Sequence, residues 1–485
     1  MDPVVALARA GYAGYGAVPP SAAPELPGRQ VGTVAQAALR ELLLAWRLDE
    51  GRAGTPDWNP LGDYFAAGSR ILIKPNWVLH ENRSGHGLDC LVTHPSLIEA
   101  VLEYVALTRP AEVVIGDAPL QGCDIEVLWE ACGVGDIAER FRQRGLDLRI
   151  ADFRRTVLFG ATLGSGRAED IQDISKYVLF DLGRESLLEP LAPDAGRFRV
   201  TMYNPDLMIR THAPGRHQYL IARDAIEADG VINLPKLKSH KKAGITGALK
   251  NLVGINGNKE FLPHHRKGGS ATGGDCYEGG SWLKARAEDL LDHANRLPNG
   301  RMQALLEQAG GMVNRCAARL SEEGDDNLEG AWYGNDTVWR TSLDLQRILA
   351  YGCADGRMAA APQRRVIHIT DAIIGGDGDG PLAPDPVESG FLTGAANPAA
   401  AEWVHAILMG FEPEKVPIVR EAFGSFSYPL ACFTKQEVRV RTADGECAPR
   451  SLASAARTFR PSRGWVGHCE LETRHDRVGE QPVVA

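Results

Sequence analysis

The chain is predicted to be an α/β protein: a mostly parallel sheet with covering helices in two lobes, with a mixed or antiparallel excursion and a helical insertion. Three observations predict this. Short β-type runs alternate with stretches of helical apolar spacing over residues 70–153 and again over 219–255, the pattern of strand–helix–strand units. Between them, residues 154–210 carry short β-type runs (TVLFG, KYVLFDL, FRVTMY, DLMIR) broken by Gly, Pro and Asp. Finally, WLKARAEDLLDHANR and MQALLEQAGGMVNRCAARL are two runs of helical spacing with no strand between them.

Taken in order, residues 1–69 form an N-terminal tail and a helix. The opening stretch has an acid at position 2 and no basic region, so it reads as a mobile or loosely docked tail and not as a secretory signal. A helix follows over 34–48. Residues 70–153 are a first α/β segment: strand RILIK, a helix over 94–107 opened by Thr93 or His94 before Pro95, strand AEVVIGD ending at Asp117, a helical stretch over 124–145, and strand LDLRIAD ending at Asp152. Residues 154–218 are the mixed β segment. In 219–255, a helix-like YLIARDAIEA leads to strand GVINL and a basic loop. Residues 256–363 combine a surface loop or lid over 256–280 with the helical insertion. Residues 364–485 begin with strand RRVIHITD, turn through the Gly-rich DAIIGGDGDGP, and continue with helix AAAEWVHAILMG and a short mixed tail.

Composition removes several function classes. With 53 Lys and Arg against 62 Asp and Glu, the net charge of −9 argues against general nucleic-acid binding. Nine scattered cysteines without a CxxC pair fit a reducing compartment and match no ferredoxin run or zinc ribbon, so no iron–sulfur cluster is predicted. No apolar run reaches about 18 residues, so no membrane span is predicted and a cytoplasmic location is expected. GxGxxG, GxxxxGK[ST], GxSxG and HExxH are all missing.

The chemistry concentrates in VINLPKLKSHKKAGITGALKNLVG, residues 231–254, which carries six basic side chains and no carboxylate in an acidic chain. Open α/β sheets bind ligands at the carboxyl ends of their strands, and here those ends supply Lys74, Asn76, Asp117, the 236–250 segment and Asp371. Lys74, Asn76, Lys236, Thr246, Lys250 and Asn251 are the candidate substrate-binding residues, with Thr246 as N-cap of a helix whose N–H groups face an anion. His240, Lys238, Asp117 and Asp371 are the candidate catalytic residues. Neighbouring lysines keep His240 neutral and able to take a proton. Asp371, Asp377 and Asp379 are potential ligands of a divalent ion, although a Gly-rich turn explains that run more simply. His264 and His265 lie in a Gly-rich loop, exposed or part of a lid.

Together, ILIKPNW, Thr93-His94-Pro95, VVIGDAP, the PKLKSH to TGALKNLVG segment, DAIIGGDGDGP and GAANPAAAEWVHAILMG resemble the family called domain of unknown function 362 over roughly residues 70–425. Lys236, Lys238, His240, Thr246, Lys250, Asn251 and Gly254 fall on its most specific pattern. Lys74, Pro75, Asn76, Asp117, Asp371, Gly380 and Pro381 also match. Two departures are the missing ferredoxin-type module and Glu402, where relatives tend to carry Asp. The resemblance implies a component of a biosynthetic or polysaccharide pathway.

The expected function is an enzyme acting on a carboxylate- or phosphate-bearing small molecule by proton transfer, as in an epimerase, isomerase or lyase. Two alternatives stand beside it: a non-catalytic anion-binding or assembly protein, and a ligase or transferase using Mg²⁺ and a nucleotide.

Overall fold

Every strand that ends in a polar residue of interest belongs to one sheet. The computed structural model describes residues 2–18, 32–159, 167–201, 203–297, 300–320, 328–455 and 458–472. Strands β1 (Val4–Arg9), β2 (Arg70–Pro75), β3 (Glu112–Asp117), β4 (Leu148–Asp152), β5 (Gly230–Leu234), β6 (Lys236–His240), β7 (Gly244–Thr246), β8 (Arg365–Asp379), β9 (Ala383–Val387), β10 (Phe391–Ala395), β11 (Arg439–Thr442) and β12 (Gly445–Cys447) form a twelve-stranded open sheet. Its main path runs β12-β11-β1-β10-β8-β5-β2-β3-β4. From β8 through β5, β2 and β3 to β4 the pairing is parallel. It becomes antiparallel at β8–β10 and β10–β1.

The parallel strands read as continuous apolar runs because both faces are covered. One face buries Ile71, Ile73, Val113, Ile115, Ile232 and Ile367 beneath helices α1 (Val34–Ala45), α2 (Pro95–Leu107), α3 (Ile125–Cys132) and α4 (Val134–Gln143). α1 starts at Thr33, which forms a reciprocal capping box with Gln36. The stretch expected as one helix over 124–145 is two, α3 and α4, because Gly133 adopts the left-handed region at φ 59° between them. The opposite face buries Leu72, Val114 and Val231 against residues of α7 (Val338–Tyr351). Val5, Leu7, Phe391 and Ala395 pack with α8 (Pro398–Leu408). The helical insertion is the hairpin α5 (Trp282–Arg296) and α6 (Arg301–Leu320).

Four expectations are corrected. Residues 4–9 are not a loose tail: VVALAR is strand β1, inserted between β10 and β11, because its apolar run is buried on both faces. Of the rest of that opening stretch, residues 10–18 are described and residues 19–31 lie outside the described residues. DAIIGGDGDGP is not a turn after a strand ending at Asp371. It extends β8 to Asp379, first pairing with β5, then with β6, and folding back on β9 as a hairpin. YLIARDAIEA is not one helix: its first four residues end the strand Arg216–Ala222, which pairs with Tyr177–Asp181 through a continuously apolar, buried Tyr219–Ala222, and only Arg223–Glu227 is helical. DLMIR lies in the helix Pro205–Thr211, which Asn204 caps, and not in a strand.

Candidate functional site

The carboxyl ends of β2 and β3, the β6–β7 hairpin, the helix that follows it and residues 259–265 help surround a cavity of about 510 Å³. Of the candidate residues, Lys74, Asn76, Asp117, Lys238, His240, Thr246, Lys250 and Asn251 line it. Lys236 and Asp371 do not.

At its floor, Lys74 Nζ lies 2.6 Å from Asp117 Oδ1, with both side chains almost fully buried. Burial pushes the Lys74 ammonium down and the Asp117 carboxyl up, and each partner opposes the shift of the other. Trp77 N–H donates to Asp117 Oδ2 at 2.6 Å, and Lys74 donates to the Pro75 carbonyl at 2.7 Å and to Asn251 Oδ1 at 3.2 Å. Asn251 in turn donates to Asn233 Oδ1 at 2.7 Å, which ties the pair to β5. Gly254 closes over this pair so tightly that a Cβ there would sit 1.9 Å from Asp117 Oδ1 and 2.7 Å from Lys74 Nζ. Gly254→Ala is therefore expected to lower stability by about 2–4 kcal/mol, read as a lower urea midpoint at unchanged slope.

The remaining lysines lack such compensation. Lys238 donates to Asn76 Oδ1 at 2.7 Å and to the Leu91 carbonyl, and burial with neighbouring Lys236 pushes its pKa well down. Lys242 donates to Thr201 Oγ1 at 3.1 Å, and burial lowers it to about 8. Among the described residues, no hydrogen bond or ion pair reaches Nζ of Lys250 or Lys259. Burial and mutual repulsion lower Lys250 to about 7, and burial lowers Lys259 to about 8. Of the carboxylates nearby, Asp292 holds Arg199 at 2.8 Å and Lys267 at 2.8 Å, Glu288 accepts from Gly268 N–H at 2.9 Å, and Glu329 attracts Lys242 without reaching ion-pair distance.

Two histidines face the cavity in complementary tautomers. His240 Nδ1 accepts from Lys242 N–H at 3.0 Å and Ala243 N–H at 3.2 Å, so the ring proton resides on Nε2. His264 Nδ1 lies 2.6 Å from the Leu262 carbonyl and must donate to it, which leaves Nε2 a bare acceptor. Burial first and Lys250 second hold both imidazoles well below their usual pKa, hence neutral. Lys242, Lys259, His264 and His265 escaped selection from sequence. The histidine pair in LPHHRKGG was the available signal, but 256–280 read as surface, whereas His265, Asn258 and Leu262 are buried.

Lys236 and Asp371 form a separate cluster. Lys236 Nζ lies 2.7 Å from Asp371 Oδ2, Tyr15 OH donates to Asp371 Oδ1 at 2.5 Å, and His94 N–H donates to Asp371 Oδ2 at 3.0 Å. The Tyr15 ring stacks on His94 at 3.7 Å. Here the opening segment of the chain meets the end of β6.

The expected helix cap is also different. Thr246 ends β7 with its hydroxyl unpartnered, and the short helix Ala248–Asn251 begins after Gly247 without a side-chain cap of its own. Glu402 takes that place: its Oε2 accepts from Ala248 N–H at 2.7 Å and pairs with His405 at 3.0 Å. A Cβ on Gly247 would lie 2.2 Å from the same oxygen. The helix N-terminus is thus closed by the protein's own carboxylate. Asp377 and Asp379 pair with Arg460 at 2.7 Å and Arg463 at 3.0 Å. Among the described residues, no group of three or more His, Cys, Asp or Glu is placed to hold a metal ion.

A thylakoid-associated protein of Synechocystis sp. is 26% identical over 195 residues, which span 40% of this chain and 41% of that protein. A structural-genomics crystal structure of a Thermotoga maritima protein aligns with 71% of this chain and 56% of its own, at 10% identity and a TM-score of 0.29. The family profile of the domain of unknown function DUF362 matches residues 71–174 and 183–406. With its lysine-bearing hairpin and the ends of β2, β3 and β8 inside those spans, the chain belongs to the DUF362 family.

Proposed function

We propose that the cavity binds a small molecule carrying more than one negative charge, phosphate or carboxylate, and moves a proton on it. The observation that carries this reading is the convergence of Lys238, Lys242, Lys250 and Lys259 on one cavity without carboxylate partners. Buried cations without counter-ions are costly, and an anionic ligand supplies what they lack. His264 Nε2 is the proton acceptor, and neutral His240 donates from Nε2 to an oxygen where charge builds up. Ligand charge next to Lys250, Lys242 and Lys259 raises the basicity of His264, because the repulsion that suppresses its protonation is relieved. Lys74 and Asp117 set the floor, and Asn251 orients Lys74.

No helix among the described residues is long and apolar enough to cross a membrane, and all nine cysteines are free thiols. This supports a reducing, cytoplasmic setting.

The pH dependence follows with a definite sign. Lys250 titrates at about 7 and Lys242 and Lys259 at about 8 in the folded protein, against 10.5 unperturbed. Between those values the unfolded chain binds more protons, so this contribution raises stability as pH climbs from about 7 to about 10. Below about 7 the cost of charging is complete. Pyrophosphate favours the charged lysines, so its stabilising effect is expected to be largest near pH 6–7 and to fade above about 8. Melting temperatures across that range, with pyrophosphate and with chloride at matched ionic strength, test the proposal. Equal responses to the two salts at every pH would contradict it.

A further inference from the structure

We infer that Lys250 is a nucleophile whose amine condenses with the carbonyl carbon of an anionic aldehyde or ketone, forming an imine inside the cavity. This step rests on the anion-binding reading and names the substrate class it serves. The contacts of the cavity lysines set Lys250 apart. Lys74 is paired with Asp117, Lys238 is held by Asn76 and Leu91, and Lys242 is bonded to Thr201. Lys241 and Lys259 form no side-chain bond among the described residues but are partly exposed. Lys250 is 8% exposed, and among the described residues its Nζ meets no acceptor. Its charged neighbours Lys259, Lys242 and Lys74 are cations. A desolvated lysine beside other cations holds a substantial fraction of its nitrogen as the free amine at neutral pH, the nucleophilic form.

The surrounding groups complete the chemistry. Lys242 and Lys259 hold the anionic group of the substrate, and the His240 Nε2–H donates to the carbonyl oxygen. Attack by the Nζ lone pair on the carbonyl carbon sends the π pair to that oxygen. His264 Nε2 takes a proton from the attacking nitrogen and returns it to the oxygen, giving the carbinolamine. A second passage through the same imidazole carries the remaining N–H proton to the hydroxyl, which leaves as water while the nitrogen lone pair closes the C=N bond. One water is lost, and no oxidant or reductant is needed. The imine acidifies the adjacent C–H, which joins this step to the proton transfer proposed above.

Pyridoxal 5′-phosphate is a suitable probe, used here as a phosphate-bearing aldehyde. It is added to the full chain at one equivalent, followed by borohydride reduction and peptide mapping. The expected result is a phosphopyridoxyl label on Lys250 about tenfold or more above any other lysine, suppressed by excess pyrophosphate and abolished in Lys250→Arg. A label spread over surface lysines, or seated on Lys242 or Lys259 with Lys250 unmodified, overturns the assignment. A pyrophosphate-induced rise in melting temperature without a Lys250 adduct removes the nucleophile and leaves the anion site standing. Loss of both responses removes the anion site as well.

Discussion

Lys250→Met is expected to melt at a higher temperature than the parent protein while losing most of its response to pyrophosphate. The substitution keeps the length and apolar stem of the side chain and deletes an amine that is buried without a partner. In the parent, folding at pH 7 must either discharge that amine or desolvate its charge, a cost on the order of 2–4 kcal/mol given its shift from 10.5 to about 7. The methionine removes that cost, and a rise of a few degrees is expected for a chain of this size. Opposite signs for stability and ligand response mark a residue kept for function at the expense of the fold. Paired thermal melts, with and without pyrophosphate, check the result. A variant less stable than the parent would mean that Lys250 is satisfied by a partner and is structural.

The second large effect lies at the floor. Asp117→Ala leaves Lys74 buried with its carboxylate gone and should cost about 3–5 kcal/mol, whereas Lys74→Met with Asp117→Leu together should recover most of the loss. Urea midpoints of the single and double variants measure this. The comparison isolates the interaction from the burial of its parts, because the double variant removes both charges at once. If the double variant is as unstable as the single, packing around Gly254 and not charge pairing is what Asp117 supplies.

Much of this architecture was legible in the sequence because parallel strands covered on both faces must be apolar throughout. RILIK, VVIGD, GVINL and VIHIT could be read directly, and their polar termini marked the end of the sheet where the cavity lies. Less of the site was legible. Lys236 follows a strand as expected, but Asp371 lies within β8, which continues past it to pair with β6, so this pair turns towards Tyr15 and away from the cavity. Thr246 looked like a helix cap because Gly and Thr precede ALKN, but the capping group comes from Glu402, 154 positions after the Ala248 amide that it accepts from. Lys259 and His264 were hidden because a loop rich in Gly, His and Lys has the composition of a surface loop, whereas Lys242 lay within the basic segment and was not selected from it. Within the loop Asn258, Leu262, His265 and Cys276 are buried, a tertiary fact that local composition does not encode.

The position of β1 carries a consequence for biogenesis. Val5 pairs with Ala395 on one side and with Val440 on the other, so β1 meets neither neighbour until the residues of β10 and β11, far later in the chain, have been synthesised. The parallel portion from β2 to β5 can assemble earlier, while the amino-terminal segment waits, exposed and prone to wrong pairings. Its insertion then joins the two ends of the chain in a late closing event. In the same movement it delivers Tyr15 to Asp371 and Lys236, so maturation of the sheet and assembly of that buried cluster are one step.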